Sequence, residues 1–221
     1  MGHAGSLQAR EKTAELAAAE ICAMTLASYE ADAEAYREAT ARRERDADRA
    51  LFMRHLALAF PQVPVYDLLD LGCGPGRDLA WFRAAGHRAM GLDGSARFVA
   101  MAQATSGCPV LHQDLRLLRL ADRSLDGIFA SASLFHMPLA LLPTTLRTLS
   151  SALRPGGVLF TLNPRGADRT GWSGDRYCLF LRFSTWRRLL REAGFQLRTR
   201  EDRPIGVPAR RQQWIAAVWQ R

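Results

Sequence analysis

A short, mostly apolar run at residues 65–71 breaks off into three glycines at alternate positions, Gly72, Gly74 and Gly76, and a helical pattern follows at once. An apolar run of this length, bounded by turn residues, reads as a buried strand. Glycines crowded directly behind it mark a turn in which the backbone needs φ > 0, or in which a ligand must approach where a Cβ would stand. Strand, glycine turn and helix make a nucleotide-binding corner. The spacing narrows the ligand. Dinucleotide sites favour Gly-x-Gly-x-x-Gly, whereas here the order is Gly-x-Gly-x-Gly and an acid, Asp70, stands inside the strand end.

Downstream, strand and helix alternate, the pattern of an α/β sheet. Residues 79–85 continue as a helix that Gly86 ends. Residues 87–93 form a second strand ending in Asp93, at the distance of roughly 20 residues from the glycine turn where an acid can accept hydrogen bonds from both hydroxyls of a ribose. Gly94 and Ser95 follow, and Ser95 can also cap the helix over 96–104. Residues 110–112 are a third strand with Asp114 just behind it, and residues 125–131 a fourth, ending in Ser131. Residues 139–153 read as a helix, the Arg-Pro-Gly-Gly of 154–157 as a tight turn, and 158–162 as a central strand. Residues 163–177 are polar with three glycines and are expected to be a loop facing the substrate; a helix at 184–193 and strands at 195–202 and 213–219 complete the chain.

The Leu-Leu-Asp-Leu-Gly-Cys-Gly-Pro-Gly-Arg-Asp of residues 68–78 resembles motif I of the class I S-adenosylmethionine-dependent methyltransferases. Asp93-Gly94-Ser95 resembles motif II, and the Pro-Gly-Gly turn resembles the one before the fifth strand of that family. The Ser-Ala-Ser-Leu-Phe-His-Met-Pro of 131–138 is similar to its small-molecule branch, which includes tellurite-resistance, thiol and biosynthetic methyltransferases. Tyr29-Glu-Ala-Asp-Ala-Glu-Ala-Tyr36 resembles the helix that closes over the cofactor.

The resemblance implies a Rossmann-like, doubly wound α/β fold. Its seven-stranded, mostly parallel sheet has an antiparallel edge strand, with residues 1–60 as a helical lid and 61–221 as the core. It implies S-adenosyl-L-methionine as cofactor and S-adenosyl-L-homocysteine as product. The cofactor would be held by Tyr36, Asp70, Gly72, Cys73, Gly74, Arg77, Asp78, Asp93, Gly94, Ser95, Asp114, Leu115 and Ser131. Within that set, Asp114 is the reader of the adenine amino group and the Leu115 amide meets the ring. Direct displacement at a sulfonium needs the acceptor held in line and water excluded. Tyr29, with Tyr36 a lid candidate, is therefore expected to orient the acceptor or the methionyl carboxylate. His136, just beyond the fourth strand, is the candidate general base, since imidazole ordinarily titrates near neutrality. Arg165 and Arg176 are candidates for gripping an anionic substrate.

The net charge of +8 and a pI near 10.1 raise the question of a nucleic-acid partner. The cations are nearly all arginine and are dispersed, apart from small groups at 42–45, 187–188 and 210–211, which argues for a solvated surface. Cys22, Cys73, Cys108 and Cys178 have no metal-ligand or disulfide spacing, so they are expected to be reduced. Neither a membrane-length apolar run nor a signal-peptide pattern is present, and a cytoplasmic protein without a membrane partner is the expectation. The leading function is methyl transfer to a nitrogen, oxygen or sulfur of a small molecule. The charge keeps RNA or protein methylation open, and the glycine corner alone keeps open an NAD(P)-dependent oxidoreductase or a non-catalytic nucleotide-binding protein.

Overall fold

The computed structural model describes residues 2–41, 45–206, 208, 211 and 213–221, with backbone alone for 2–16. The arginines at 42, 43 and 210 fall outside these residues. Three helices, α1 (Gly2–Ala31), α2 (Ala33–Thr40) and α3 (Asp46–Ala59), precede β1 (Asp67–Leu71). Then come α4 (Arg77–Ala84), β2 (Arg88–Asp93), α5 (Ala96–Ser106), β3 (Val110–His112), β4 (Leu125–Ser131), α6 (Leu142–Ala152) and β5 (Leu153–Pro164). A hairpin of β6 (Arg169–Ser173) and β7 (Arg176–Phe180) leads to α7 (Phe183–Glu192), β8 (Gln196–Arg203) and β9 (Trp214–Gln220).

The main sheet runs β3-β2-β1-β4-β5-β9-β8. β1 pairs in parallel with both β2 and β4, so the strand order reverses at β1 and opens a crevice beyond the carboxyl ends of these strands. β9 enters antiparallel between β5 and β8. The antiparallel pairing expected at the sheet edge is present, with β8 as the outermost strand. Along β8, Gln196, Arg198 and Arg200 point to solvent.

Each face of the sheet is covered, as a central parallel sheet requires. On one face Phe52 of α3, Phe82 of α4, Phe129 and Phe160 are buried together, and the last two stack at 4.6 Å. Gly127 makes room for this cluster, because a Cβ there would stand 2.6 Å from the Phe52 ring. On the other face α6 and α7 bury Leu146, Leu149, Trp186 and Leu190. α3 is also tied to β8 by a buried ion pair, Arg203 Nε to Asp48 Oδ1 at 2.7 Å. Of the residues expected to form a lid, those of α3 pack on the sheet, whereas residues of α1 and α2 line the crevice.

The expected loop at 163–177 is different in the structure. β5 continues to Pro164, and residues 169–180 fold into a two-stranded hairpin about Gly174, which has φ +60°. Its inner positions, Cys178 and Leu179, are buried against the α6–α7 side of the core, which is what holds so polar a segment in place.

Candidate active site

The crevice at the ends of β1, β2 and β4 has two lobes that meet at Tyr36, Gly72, Gly74 and Ser131. The inner lobe, about 110 Å³, lies under α1, and the outer, about 290 Å³, lies under the end of α2. Tyr36 stands over the glycine turn, 3.8 Å from where a Cβ of Gly74 would be. Gly72, Gly74 and Gly76 all have positive φ, the conformation that their spacing predicts. Gly72 is also needed for space, since its Cβ would meet Ser133 Cβ at 2.5 Å.

Asp93 is the keystone of the floor. Its Oδ2 accepts the Gly74 amide and its Oδ1 the Ser95 amide, each at 2.9 Å. Burial pushes its carboxyl above the usual range against the pull of these amides. Asp70, at the end of β1, is more extreme. It is 3% exposed, and burial, then the charges of Asp78 and Asp93, push its carboxyl well above the usual range. Its Oδ2 is buried with no hydrogen-bond partner within the protein, and the residue lines the outer lobe. Ser131 Oγ and Ser133 Oγ are likewise unpartnered. Both stand beside Ala132, whose φ of +58° is unusual for a residue with a side chain. Buried polar atoms left over at a crevice are ready for a ligand's complementary groups.

Asp114 and Leu115 line the inner lobe beside Phe98 and Leu26. The Asp114 carboxylate accepts the Arg116 amide and pairs with its guanidinium at 2.7–2.8 Å, which fixes its orientation. Gly94 is also in this wall, so close to α1 that a Cβ would lie 2.6 Å from Leu26. Cys73 and Arg77 line the outer lobe, where Arg77 donates to the Thr40 carbonyl at the end of α2. Asp78 is there too, but Arg49 of α3 holds it at 2.6 Å. Ser95 lines neither lobe: its hydroxyl accepts the Phe98 amide as a helix cap and donates to Glu30 of α1. Arg165 is also elsewhere, paired with Asp202 at 2.8 Å.

Tyr29 and His136 meet in the inner lobe, Oη to Nε2 at 2.8 Å. His136 Nδ1 lies 2.7 Å from the Tyr177 carbonyl of β7. A carbonyl only accepts, so Nδ1 carries the proton and Nε2 takes the one that Tyr29 donates. Burial lowers the His136 pKa to about 4; the Tyr177 carbonyl opposes this and the Arg176 charge adds to it. The expectation of an imidazole titrating near neutrality is thereby corrected: partial burial holds the ring neutral. Burial, and next the neighbouring Tyr36, push the Tyr29 hydroxyl up, while Arg176 pulls it down.

Met137 lines the inner wall, as its place behind the fourth strand predicts, whereas Cys22, Thr25, Leu26 and Phe98 in that wall and Arg37, Thr40 and Arg45 in the outer one are not singled out by any motif. The spacing of 22, 25, 26 and 29 is one face of a helix and carried the signal.

A family model described as a methyltransferase domain matches residues 68–157, the span that supplies the glycine corner, Asp93, Asp114 and Ser131. This stretch of the chain is similar to methyltransferase domains. Trans-aconitate 2-methyltransferase of Azoarcus sp. (strain BH72) is 36% identical over 129 residues, 55% of this chain and 48% of that protein. The protein of the same name from Enterobacter sp. (strain 638) is 38% identical over 112 residues, 47% of this chain and 41% of that one. The chain thus spans about half the length of the curated relatives it matches. The methyltransferase fold extends further than the sequence likeness. Burkholderia thailandensis 1,6-didemethyltoxoflavin-N1-methyltransferase, solved with 1,6-didemethyltoxoflavin and S-adenosylhomocysteine, superimposes with a TM-score of 0.76 over 92% of this chain and 90% of that one, at 19% identity. Among the described residues no helix is long and apolar enough to cross a membrane, and no cluster of acids, histidines and cysteines could hold a metal ion.

Proposed function

We propose that the protein methylates a small molecule, with S-adenosylmethionine filling both lobes of the crevice. The observation that carries this reading is the floor itself: Asp93 tied to Gly74, next to an Asp70 oxygen that no protein group satisfies. The cofactor supplies a methyl group on a sulfonium, which leaves by direct displacement. Asp93 would take the ribose hydroxyls with its remaining lone pairs, and Asp70 the ammonium of the methionyl end, the positive partner that a buried carboxylate requires. Arg37 and Arg45 line the same outer lobe and suit its carboxylate. Asp114 and the Leu115 amide would read the adenine edge, with Phe98 and Leu26 against its faces.

The lid in this reading is α1 with α2, whose Tyr29 and Tyr36 meet edge to face at 5.4 Å and shut water out above the reacting centre. The acceptor then enters beside Ser131, Ser133, Tyr29 and His136. It is a small molecule that carries an anionic group, as do the substrates named for the curated relatives, and the reaction takes place in the cytoplasm, where the four free cysteines stay reduced.

Calorimetric titration with S-adenosylhomocysteine tests the reading. Saturable one-to-one binding that is lost in Asp70→Ala is expected, followed by transfer of labelled methyl groups to small acceptors. Absence of binding by the folded protein overturns it.

A further inference from the structure

The β6–β7 hairpin lies outside the span matched by the methyltransferase family, yet two of its consecutive residues, Arg176 and Tyr177, contact Tyr29, Thr25 and His136 in the wall of the inner lobe. Arg176 lays its guanidinium on the Tyr29 ring, 4.0 Å from the centroid, and reaches the Tyr36 ring at 5.8 Å. It also donates to Ser28 Oγ at 3.1 Å and to Asp32 Oδ2 at 3.2 Å, so it grips the end of α1 on both sides of Tyr29. Tyr177 adds two backbone bonds: its carbonyl takes His136 Nδ1–H, and its amide donates to Thr25 Oγ1 of α1 at 3.1 Å.

These contacts decide which way hydrogen bonds run in the site. With Nδ1–H committed to Tyr177, His136 offers only a lone pair at Nε2, and Tyr29 must spend its proton there. The Tyr29 oxygen is left with lone pairs and no proton to give. A group of that kind welcomes a donor and rejects a bare carboxylate, which would face it oxygen to oxygen.

We propose that Arg176 is a positioning residue for the acceptor site, and that the Tyr29–His136 pair it holds selects an acceptor bearing a proton on the atom to be methylated, an amine, hydroxyl or thiol. As that atom bonds to the methyl carbon, the carbon–sulfur bond would break with its electron pair left on the sulfur as a neutral thioether, the acceptor's proton would pass to Tyr29 Oη and the Tyr29 proton to His136 Nε2. The charge that the acceptor would have carried thus ends as an imidazolium, which returns its proton to solvent after product leaves. This inference rests on the methyltransferase reading above and refines its acceptor. An anionic group elsewhere in the substrate is compatible with it; a carboxylate as the reacting atom is not.

The test uses the full chain saturated with S-adenosylhomocysteine, which keeps cofactor binding separate from the acceptor. Nitrogen NMR of the His136 ring is expected to show Nδ1 protonated and Nε2 bare, with the Nε2 shift moving in Tyr29→Phe and in Arg176→Gln. Arg176→Lys, which keeps a cation at the ring, should restore most of the shift. In methyl transfer from labelled S-adenosylmethionine, a catechol, an aromatic amine and a small thiol serve as proton-bearing probes and trans-aconitate as the carboxylate probe. The expected result is turnover on at least one of the first three, a fall in kcat of tenfold or more in Arg176→Gln, and unchanged affinity for S-adenosylhomocysteine. A His136 ring with Nδ1 bare overturns the proposal. So does turnover confined to trans-aconitate, or an Arg176→Gln loss that follows melting temperature and cofactor affinity alone. Failure to bind S-adenosylhomocysteine would instead remove the methyltransferase reading, so the two failures are distinct.

Discussion

The Gly74 amide and the Asp93 carboxylate are joined by a hydrogen bond of 2.9 Å, which makes the glycine turn after β1 and the acid at the end of β2 one unit. Asp93→Ala leaves two buried amides, those of Gly74 and Ser95, without acceptors. At about 1–3 kcal/mol for each orphaned group, the variant should melt well below the parent. Its affinity for S-adenosylhomocysteine should fall by a further 1–3 kcal/mol or so, from lost ribose bonds. Titration of the variant below its melting temperature reads the second effect, and parental affinity there would remove Asp93 from the cofactor site.

Gly76 and Gly86 separate space from conformation. Both have strongly positive φ, +86° and +88°, but a Cβ on Gly76 would lie 2.6 Å from the Ala102 backbone of α5, while one on Gly86 meets nothing within 4 Å. Gly86→Ala should cost about 1–2 kcal/mol, the strain of a left-handed alanine. Gly76→Ala adds a clash between two helices and should cost roughly 2–5 kcal/mol. Urea unfolding of both variants is decisive, and equal losses would show that α5 yields.

Phe52 asks whether α3 belongs to the core or to the lid. Its side chain is fully buried and contacts Phe82, Phe129 and Phe160. Phe52→Ala should destabilise by about 3–5 kcal/mol, the cost of a large cavity in a packed core. A helix that merely opened and closed over ligand would show a shift well under 1 kcal/mol in the same thermal melt.

The half-buried His136 ties stability to pH. Its pKa near 4 in the fold, against an ordinary value of 6.5, means that the unfolded chain binds this proton first as pH falls. The contribution is fully present above pH 6.5 and is lost by about pH 4, and the shift corresponds to about 3 kcal/mol. His136→Gln should therefore show a flatter stability curve than the parent between pH 6.5 and 4, and parallel curves would mean that the ring is hydrated.

What could be read from the residues alone was what is local. Gly72, Gly74, Gly76, Asp93, Asp114 and Ser131 each sit at a strand end, where a strand, a turn and a helix follow one another within a few positions, and all six line or support the crevice. The hairpin was not legible, because glycines and polar residues in 166–175 carry a loop signature, while its register comes from Cys178 and Leu179 docking on a core assembled elsewhere. The meeting of Tyr29 with His136 spans 107 residues, and the Arg176 contact with Ser28 spans 148. Such pairs have no footprint in spacing. The low pKa of His136 is equally a property of burial and of a neighbour's charge, which a motif does not record.

The main sheet ends on one side in β3, three residues long, and on the other in β8, whose outward positions include Arg198 and Arg200. Strand-by-strand growth into aggregates needs a long, flat row of free backbone groups that a second chain can approach. A three-residue strand offers too short a row, and the charged side chains along β8 would have to be desolvated by an identical edge brought against them. The arginines that raise the isoelectric point thus have a use that involves no ligand: they let a sheet with open borders exist at high concentration in a crowded cell.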